Sequence, residues 1–150
     1  MSRPPSTQST TKATLHPRNR HRDGYDFTAL TQTLPALAPF VSRNRFGDWS
    51  INFSDPEAVK LLNAALLKHF YQINYWDIPP GFLCPPIPGR VDYLHYVADV
   101  LNDGDDAHNA RLLDIGCGAN LIYPLLGFAS YGWSFVAVDI SNAALNAAQQ

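Results

Sequence analysis

The sequence predicts an α/β fold with a Rossmann-like parallel sheet, placed late in the chain and preceded by a mostly helical stretch. Three observations predict it. Leu112-Leu113-Asp114-Ile115 is a short apolar run broken by one acid, which suits the end of a buried parallel strand. Gly116 and Gly118 follow at once, free to make a tight turn and to let backbone approach a ligand. Leu121 to Phe128 is helix-compatible, so its first N–H groups would point back at that turn. Ser134 to Val138 then reads as a second buried strand, ending at Asp139. Strand, glycine turn, helix and strand form the unit with which open α/β sheets build nucleotide sites.

Asp139 lies about 20 residues beyond the glycine pair, the spacing of a carboxylate that holds ribose hydroxyls. Its competing role is to cap a turn before Asn142. A dinucleotide fingerprint would place a third glycine where this chain has Leu121, and it does not ask for the acid found at Asp114. A cationic ligand without a pyrophosphate fits better, so an NAD oxidoreductase is the weaker reading. Asp-x-Gly-x-Gly at one strand end and an acid at the next resembles the S-adenosylmethionine (SAM) site of class I methyltransferases. Asp114 beside the turn would then face a ligand carrying a sulfonium and an ammonium.

The 150 residues amount to one domain, long enough for a sizeable core, with 46% hydrophobic content. No run approaches the ~18 to 20 apolar residues of a membrane helix, so no membrane association is expected. Cys84 and Cys117 are far apart, and the five histidines show no ligand spacing, so no metal is expected and a reducing, cytoplasmic location is the default. The net charge of −2 is uneven. Residues 1–22 hold five basic groups and no acid, whereas from Phe46 onward four basic residues face eleven acids. The basic head is a candidate for a polyanionic partner.

In chain order, residues 1–14 are rich in Ser, Thr and Pro, without a signal-peptide core, and read as a disordered tail. Residues 15–89 form an N-terminal extension. At its start Pro17 favours an extended backbone, which would place Arg18, Arg20 and Arg22 on one side of the segment. Those guanidiniums either meet phosphate oxygens or lie on an idle basic tail. Tyr25 to Val41 carries Phe27, Leu30, Leu34 and Leu37 at helical spacing, broken by Pro35 and Pro39, and reads as a short helix and a turn. Arg43 to Asp48 is a polar connection, and Trp49 to Phe53 alternates like a short strand. Ser54-Asp55-Pro56-Glu57 starts a helix that runs to about Tyr71, with Val59, Leu62, Leu66 and Phe70 as its core stripe. Tyr75 to Pro88 holds five prolines, a stiff loop of a kind that is often functional. Residues 90–150 form the first part of the sheet domain, opened by a helix bearing Arg90, Val91, Leu94, Val97, Ala98 and Leu101. Arg90 either meets a ligand carboxylate beside the glycine turn or is a surface arginine. Asn102 to Asn109 is a polar turn.

Four blocks occur in order: His16-Pro17-Arg18-Asn19-Arg20-His21-Arg22, Asp55-Pro56-Glu57-Ala58-Val59, Pro86-Ile87-Pro88-Gly89-Arg90-x-Asp92-Tyr93 and Asp114-Ile115-Gly116-x-Gly118-Ala119-Asn120-x-Ile122-Tyr123-Pro124. Together they resemble the bacterial large-subunit ribosomal RNA adenine-N6 methyltransferase F family, related to eukaryotic methyltransferase-like protein 16. The resemblance covers roughly nine tenths of the chain. It implies a class I SAM-dependent methyltransferase fold and methyl transfer to the exocyclic amine of an adenine in 23S ribosomal RNA. It also implies that Arg90, Gly116, Gly118 and Asp139 belong to the SAM site, with Asp114, Ala119 and Asn120 of the same block. Arg18, Asn19, Arg20 and Arg22 would belong to the RNA surface. No obligate protein partner is expected.

In that family an Asn-Pro-Pro-Phe motif past the fourth strand receives the base, which must be unstacked to reach it. This chain contains no such motif and ends at the start of a helix after two sheet strands, so the fold is expected to be incomplete. The expectation is the N-terminal, SAM-binding part of an enzyme, inactive alone and with no catalytic residue of its own. The alternatives are a non-catalytic RNA- or SAM-binding product of a truncated gene, and a methyltransferase for another planar amine such as a glutamine side chain.

Overall fold

The structure, a computed structural model, describes residues 15–102 and 109–149. The expected tail over residues 1–14 and most of the polar turn before the first sheet strand lie outside these. Helix α1 (Phe27–Thr33) starts where the Asp26 side chain accepts from Ala29 N, and a 3-10 helix (Pro35–Phe40) follows it. Strands β1 (Val41–Arg43) and β2 (Trp49–Ile51) form an antiparallel hairpin with Arg43 opposite Trp49. The first of these strands has only three residues and one apolar side chain, too little to register as a pattern.

Helix α2 (Pro56–Tyr71) is capped by Asp55, which accepts from Glu57 N and Ala58 N, and has proline in its first turn. Leu62 and Leu66 of the expected stripe are buried, with Ala58, Ala65 and Leu67 beside them. Helix α3 (Ile87–Asn102) begins three residues before Arg90. Pro88 sits in its first turn, where a missing N–H has no helical partner to lose, and the Pro86 carbonyl accepts from Arg90 N at 3.1 Å. The core joins Leu30 of α1, Leu62 and Leu66 of α2 and Val91, Leu94 and Ala98 of α3 to Ile122, Leu126 and Trp133 further on. One apolar cluster therefore spans the expected boundary at residues 89 and 90.

Strands β3 (Arg111–Ile115) and β4 (Ser134–Val138) pair in parallel from Arg111 opposite Ser134 to Ile115 opposite Val138. Helix α4 (Ile122–Tyr131) makes the crossover, and α5 (Asn142–Ala148) begins where Ser141 Oγ accepts from Ala144 N. Gly127 lets α4 settle on the sheet, since a Cβ there would lie 2.6 Å from the Phe135 ring. Both strands alternate in burial rather than being buried throughout. Leu112 and Phe135 pack on the core, while Leu113 and Ile115 on the opposite face are 60% and 77% exposed. The expectation of fully buried strands is corrected on that face, which no element covers among the described residues. No helix among these residues is long and apolar enough to cross a membrane.

Candidate functional site

The glycine turn is sewn to the end of β4. Gly116 N and Cys117 N both donate to the Val138 carbonyl, at 2.7 and 3.1 Å, and Gly118 N donates to Asp139 Oδ2 at 2.9 Å. Gly116 and Gly118 have φ of +81° and +63°, a left-handed region that L side chains rarely adopt. A Cβ on Gly116 would meet nothing within 4 Å, so open space lies beside the turn, as ligand approach requires. Asn120 follows with its Oδ1 accepting from Ile122 N at 3.1 Å, which caps α4 from one residue upstream of Leu121.

Beside the turn is a cavity of about 270 Å³, bounded by Gly116, Gly118, Asn120, Arg90, Tyr123 and Leu83. Arg90 reaches it from the first turn of α3, donating through a terminal guanidinium nitrogen to Tyr123 Oη at 2.9 Å. Its Nε is buried with no hydrogen-bond partner among the described residues. A buried N–H left unused is costly unless the guanidinium shifts to an acceptor, and a ligand carboxylate at the cavity would be one. The cavity's chemistry therefore fits the carboxylate end of a compound such as SAM.

The proline loop forms the far wall and is held from two sides, by α2 and by the glycine turn. Asn63 Nδ2 of α2 donates to Pro85 O at 2.9 Å and to Cys84 Sγ at 3.1 Å. Trp76 Nε1 donates to Asn120 O at 3.2 Å, and Asn120 Nδ2 donates to Leu83 O at 3.4 Å. Loop and turn thus hold each other.

Structure brings Arg90, Gly116, Gly118, Ala119 and Asn120 to one cavity. Asp139 stands at its back through Gly118, with its other oxygen accepting from Ser141 N at 2.8 Å. These backbone N–H donors hold its carboxyl below the usual carboxylate range. Both sequence readings of Asp139 are thus physically compatible. Asp114 lines a neighbouring hollow with Tyr93 and Tyr123. Burial pushes its carboxyl upward, and its Oδ2 lacks a partner among the described residues. Burial also raises the Cys117 thiol, with Asp114 and Asp139 adding to the effect, which makes it a poor nucleophile. Tyr123, Trp76 and Asn63 were not singled out from the sequence. Tyr123 stands inside the fourth block, but nothing in its spacing announced a bond to Arg90.

The basic head departs from expectation. Residues 15–23 are folded in turns, not extended, and they clasp α3 and the end of α2. His16 N and Asn19 Nδ2 both donate to Asp92 Oδ1, at 2.7 and 2.8 Å, and Asn19 also donates to Pro88 O. Arg18 donates to His95 O and Tyr131 Oη and pairs with Asp99, while Arg20 donates to Phe70 O. The buried His21 and His95 rings bond Tyr71 Oη and Tyr131 Oη at 2.9 and 2.6 Å. Asn19 is 3% exposed and fully engaged, so its place on an RNA surface is corrected to an anchor of the head. The single extended row of arginines is corrected likewise, because polar partners on α3 draw the segment inward.

A parallel strand–glycine turn–helix–strand unit, with an arginine-lined cavity beside the turn and an acid just past the second strand, defines the class of SAM-type α/β methyltransferase domains. Residues 9–150 match the model of a family described as RNA methyltransferase, and the chain belongs to that family. Over 139 residues it is 59% identical to the ribosomal RNA large subunit methyltransferase F of Pectobacterium carotovorum subsp. carotovorum, covering 91% of this chain and 45% of that protein. Identity to the protein of the same name from Shewanella denitrificans is 63% over 139 residues, covering 91% and 38%. The chain spans less than half the length of these curated relatives. The N-terminal domain of human METTL16 in complex with SAH has a TM-score of 0.81 and 38% identity, covering 90% of this chain and 53% of that one. The hMettl16 catalytic domain in complex with MAT2A 3'UTR hairpin 6 has a TM-score of 0.80 and 38% identity, covering 90% and 47%.

Proposed function

We propose that this chain supplies the SAM site and part of the RNA surface of an enzyme that methylates the exocyclic N6 amine of an adenine in 23S ribosomal RNA. The observation that carries this reading is Arg90 at the cavity beside the glycine turn, its Nε without a partner among the described residues. Arg90 binds the carboxylate of the methyl donor, with Tyr123 holding the guanidinium in place. Asp139 orients the ribose and fixes Gly118 N–H, and Asp114 offers negative charge near the donor's cationic end. When bound, SAM supplies an electrophilic methyl group.

RNA approaches over the head. The Arg18 side chain remains 42% exposed, and Arg20 is exposed beside it, so their guanidiniums can still meet phosphates. Residues 15–89 then serve chiefly RNA, and residues 90–150 chiefly the cofactor. The reaction belongs in the cytoplasm, where both cysteines stay free thiols. The names of its relatives support the reading, since one is a ribosomal RNA large subunit methyltransferase and another was solved with SAH.

Titration calorimetry on the full-length protein tests it. SAM should bind and NAD should not, and Arg90→Ala should weaken SAM by at least tenfold, the ~1.5–3 kcal/mol of a charged hydrogen bond. Unchanged SAM affinity in Arg90→Ala, or no SAM binding by the unmodified protein, would overturn the assignment.

A further inference from the structure

Three aromatic rings stand exposed on a short stretch around the β1–β2 hairpin. Phe46, Trp49 and Phe53 are 74%, 51% and 60% exposed, respectively. The core does not account for them. Two are covered by arginines instead, with the Arg43 guanidinium 4.4 Å from the Trp49 ring centre and that of Arg45 4.7 Å from the Phe46 ring centre. Such pairs are the planar, cationic surfaces on which unpaired bases stack.

The tip that presents them is tied down. Asn44 N donates to Asp48 O at 2.8 Å, and Asn44 Oδ1 accepts from Phe46 N and Asp48 N at 2.9 and 3.1 Å. The Arg43 guanidinium donates to the Gly47 carbonyl. A tied platform loses little entropy when a ring is laid on it. Beside it, Trp49 walls a groove of about 270 Å³ with Phe27, Thr28, Thr31, Ala38 and Val41. That lies just below the ~300 Å³ at the small end of drug-sized sites, a size suited to a single base.

Charge agrees with this occupant, because Val41 to Ser54 holds two arginines against one acid, Asp48. An apolar protein partner would need a continuous apolar patch, whereas here cations interleave with rings and two threonines line the groove. The chain also links this surface to the head. Arg22 lies six residues before Thr28, which is exposed on the groove wall, at most about 22 Å of chain, so one RNA strand can reach both places.

We propose that the β1–β2 hairpin is a stacking platform for single-stranded RNA, receiving unpaired bases on the paired ring and guanidinium planes of Phe46 with Arg45 and Trp49 with Arg43. The proposal rests on the RNA methyltransferase reading above. Fluorescence anisotropy with deproteinised, single-stranded 23S fragments and their duplexes tests it on the full-length protein.

Phe46→Ala and Trp49→Ala should each weaken single-strand binding about tenfold and duplex binding much less. Phe46→Tyr should restore the affinity, and Arg45→Gln should shrink the salt slope by a little under one. Phe46 is so exposed that its replacement leaves folding intact, as an unchanged melting temperature would verify. Alanine variants that bind RNA as well as the unmodified protein does would overturn the platform alone. No RNA binding by the unmodified protein would overturn the RNA reading itself. Loss of binding to ribosomal particles, with naked RNA unaffected, would overturn the proposal in favour of a ribosomal-protein contact.

Discussion

Asp139 ties the glycine turn to the N-cap of α5. Its two oxygens accept from Gly118 N and Ser141 N, and these bonds favour the ionised form. Asp139→Ala removes the charge and loosens the glycine turn, so SAM affinity should fall about tenfold or more, read by calorimetry. Undiminished affinity would leave Asp139 as a turn cap. Two histidines make a different prediction. Burial lowers the pKa of His21 and of His95 to about 4, and for His95 the nearby His16 and Arg18 add to the effect. Unfolded, each would titrate near 6.5, so between about pH 6.5 and 4 the unfolded chain takes up protons that the folded one refuses. Stability should be full above pH 6.5 and fall as pH drops through that window. Asp99 and Asp139, with lowered carboxyl pKa values, add acid sensitivity only below about pH 4. Melting temperatures that stay flat from pH 7 to 4.5 would contradict this. At this scale the sequence made the turn at Gly116 and Gly118 and the acid at the next strand end readable, because glycines after an apolar run and a strand ending in Asp139 are local signals. It did not reveal Tyr123 or Asn63, whose roles depend on partners 33 and 22 residues away.

Among the elements, the crossover helix depends on close contact with the sheet. A Cβ on Gly127 would lie 2.6 and 2.7 Å from two Phe135 ring atoms and 3.1 Å from Trp133. Gly127→Ala should therefore destabilise the fold by about 1–3 kcal/mol through overpacking, seen in denaturant midpoints. A stability equal to the unmodified protein would mean that the Phe135 ring yields freely. The capped helix from Pro56 to Tyr71 was legible to within a residue or two, since Asp55 and Pro56 are local signals. Strand β1 was not, because three residues carry no period. The head misled for another reason. Alternate arginines suggest an extended ribbon, but Asp92, Asp99 and the His95 carbonyl on α3 hold the segment in turns.

Across the molecule, three of the four sequence blocks converge on α3. The head block bonds Asp92 of the third block, and Arg90 of that block meets Tyr123 of the fourth. A residue order that resembles a family signature is thus a set of contacts tying the N-terminal head to the cavity beside the glycine turn. That coupling was invisible in the sequence, since nothing in a linear spacing places His16 against a helix 76 residues on. The most direct test is methyl transfer from isotopically labelled SAM to unmodified 23S ribosomal RNA by the full-length protein, followed by mass spectrometry of the digested nucleosides. Labelled N6-methyladenosine, lost in Arg90→Ala, is the predicted result. Label on another nucleoside position, or none on RNA while a protein glutamine is methylated, would contradict the account.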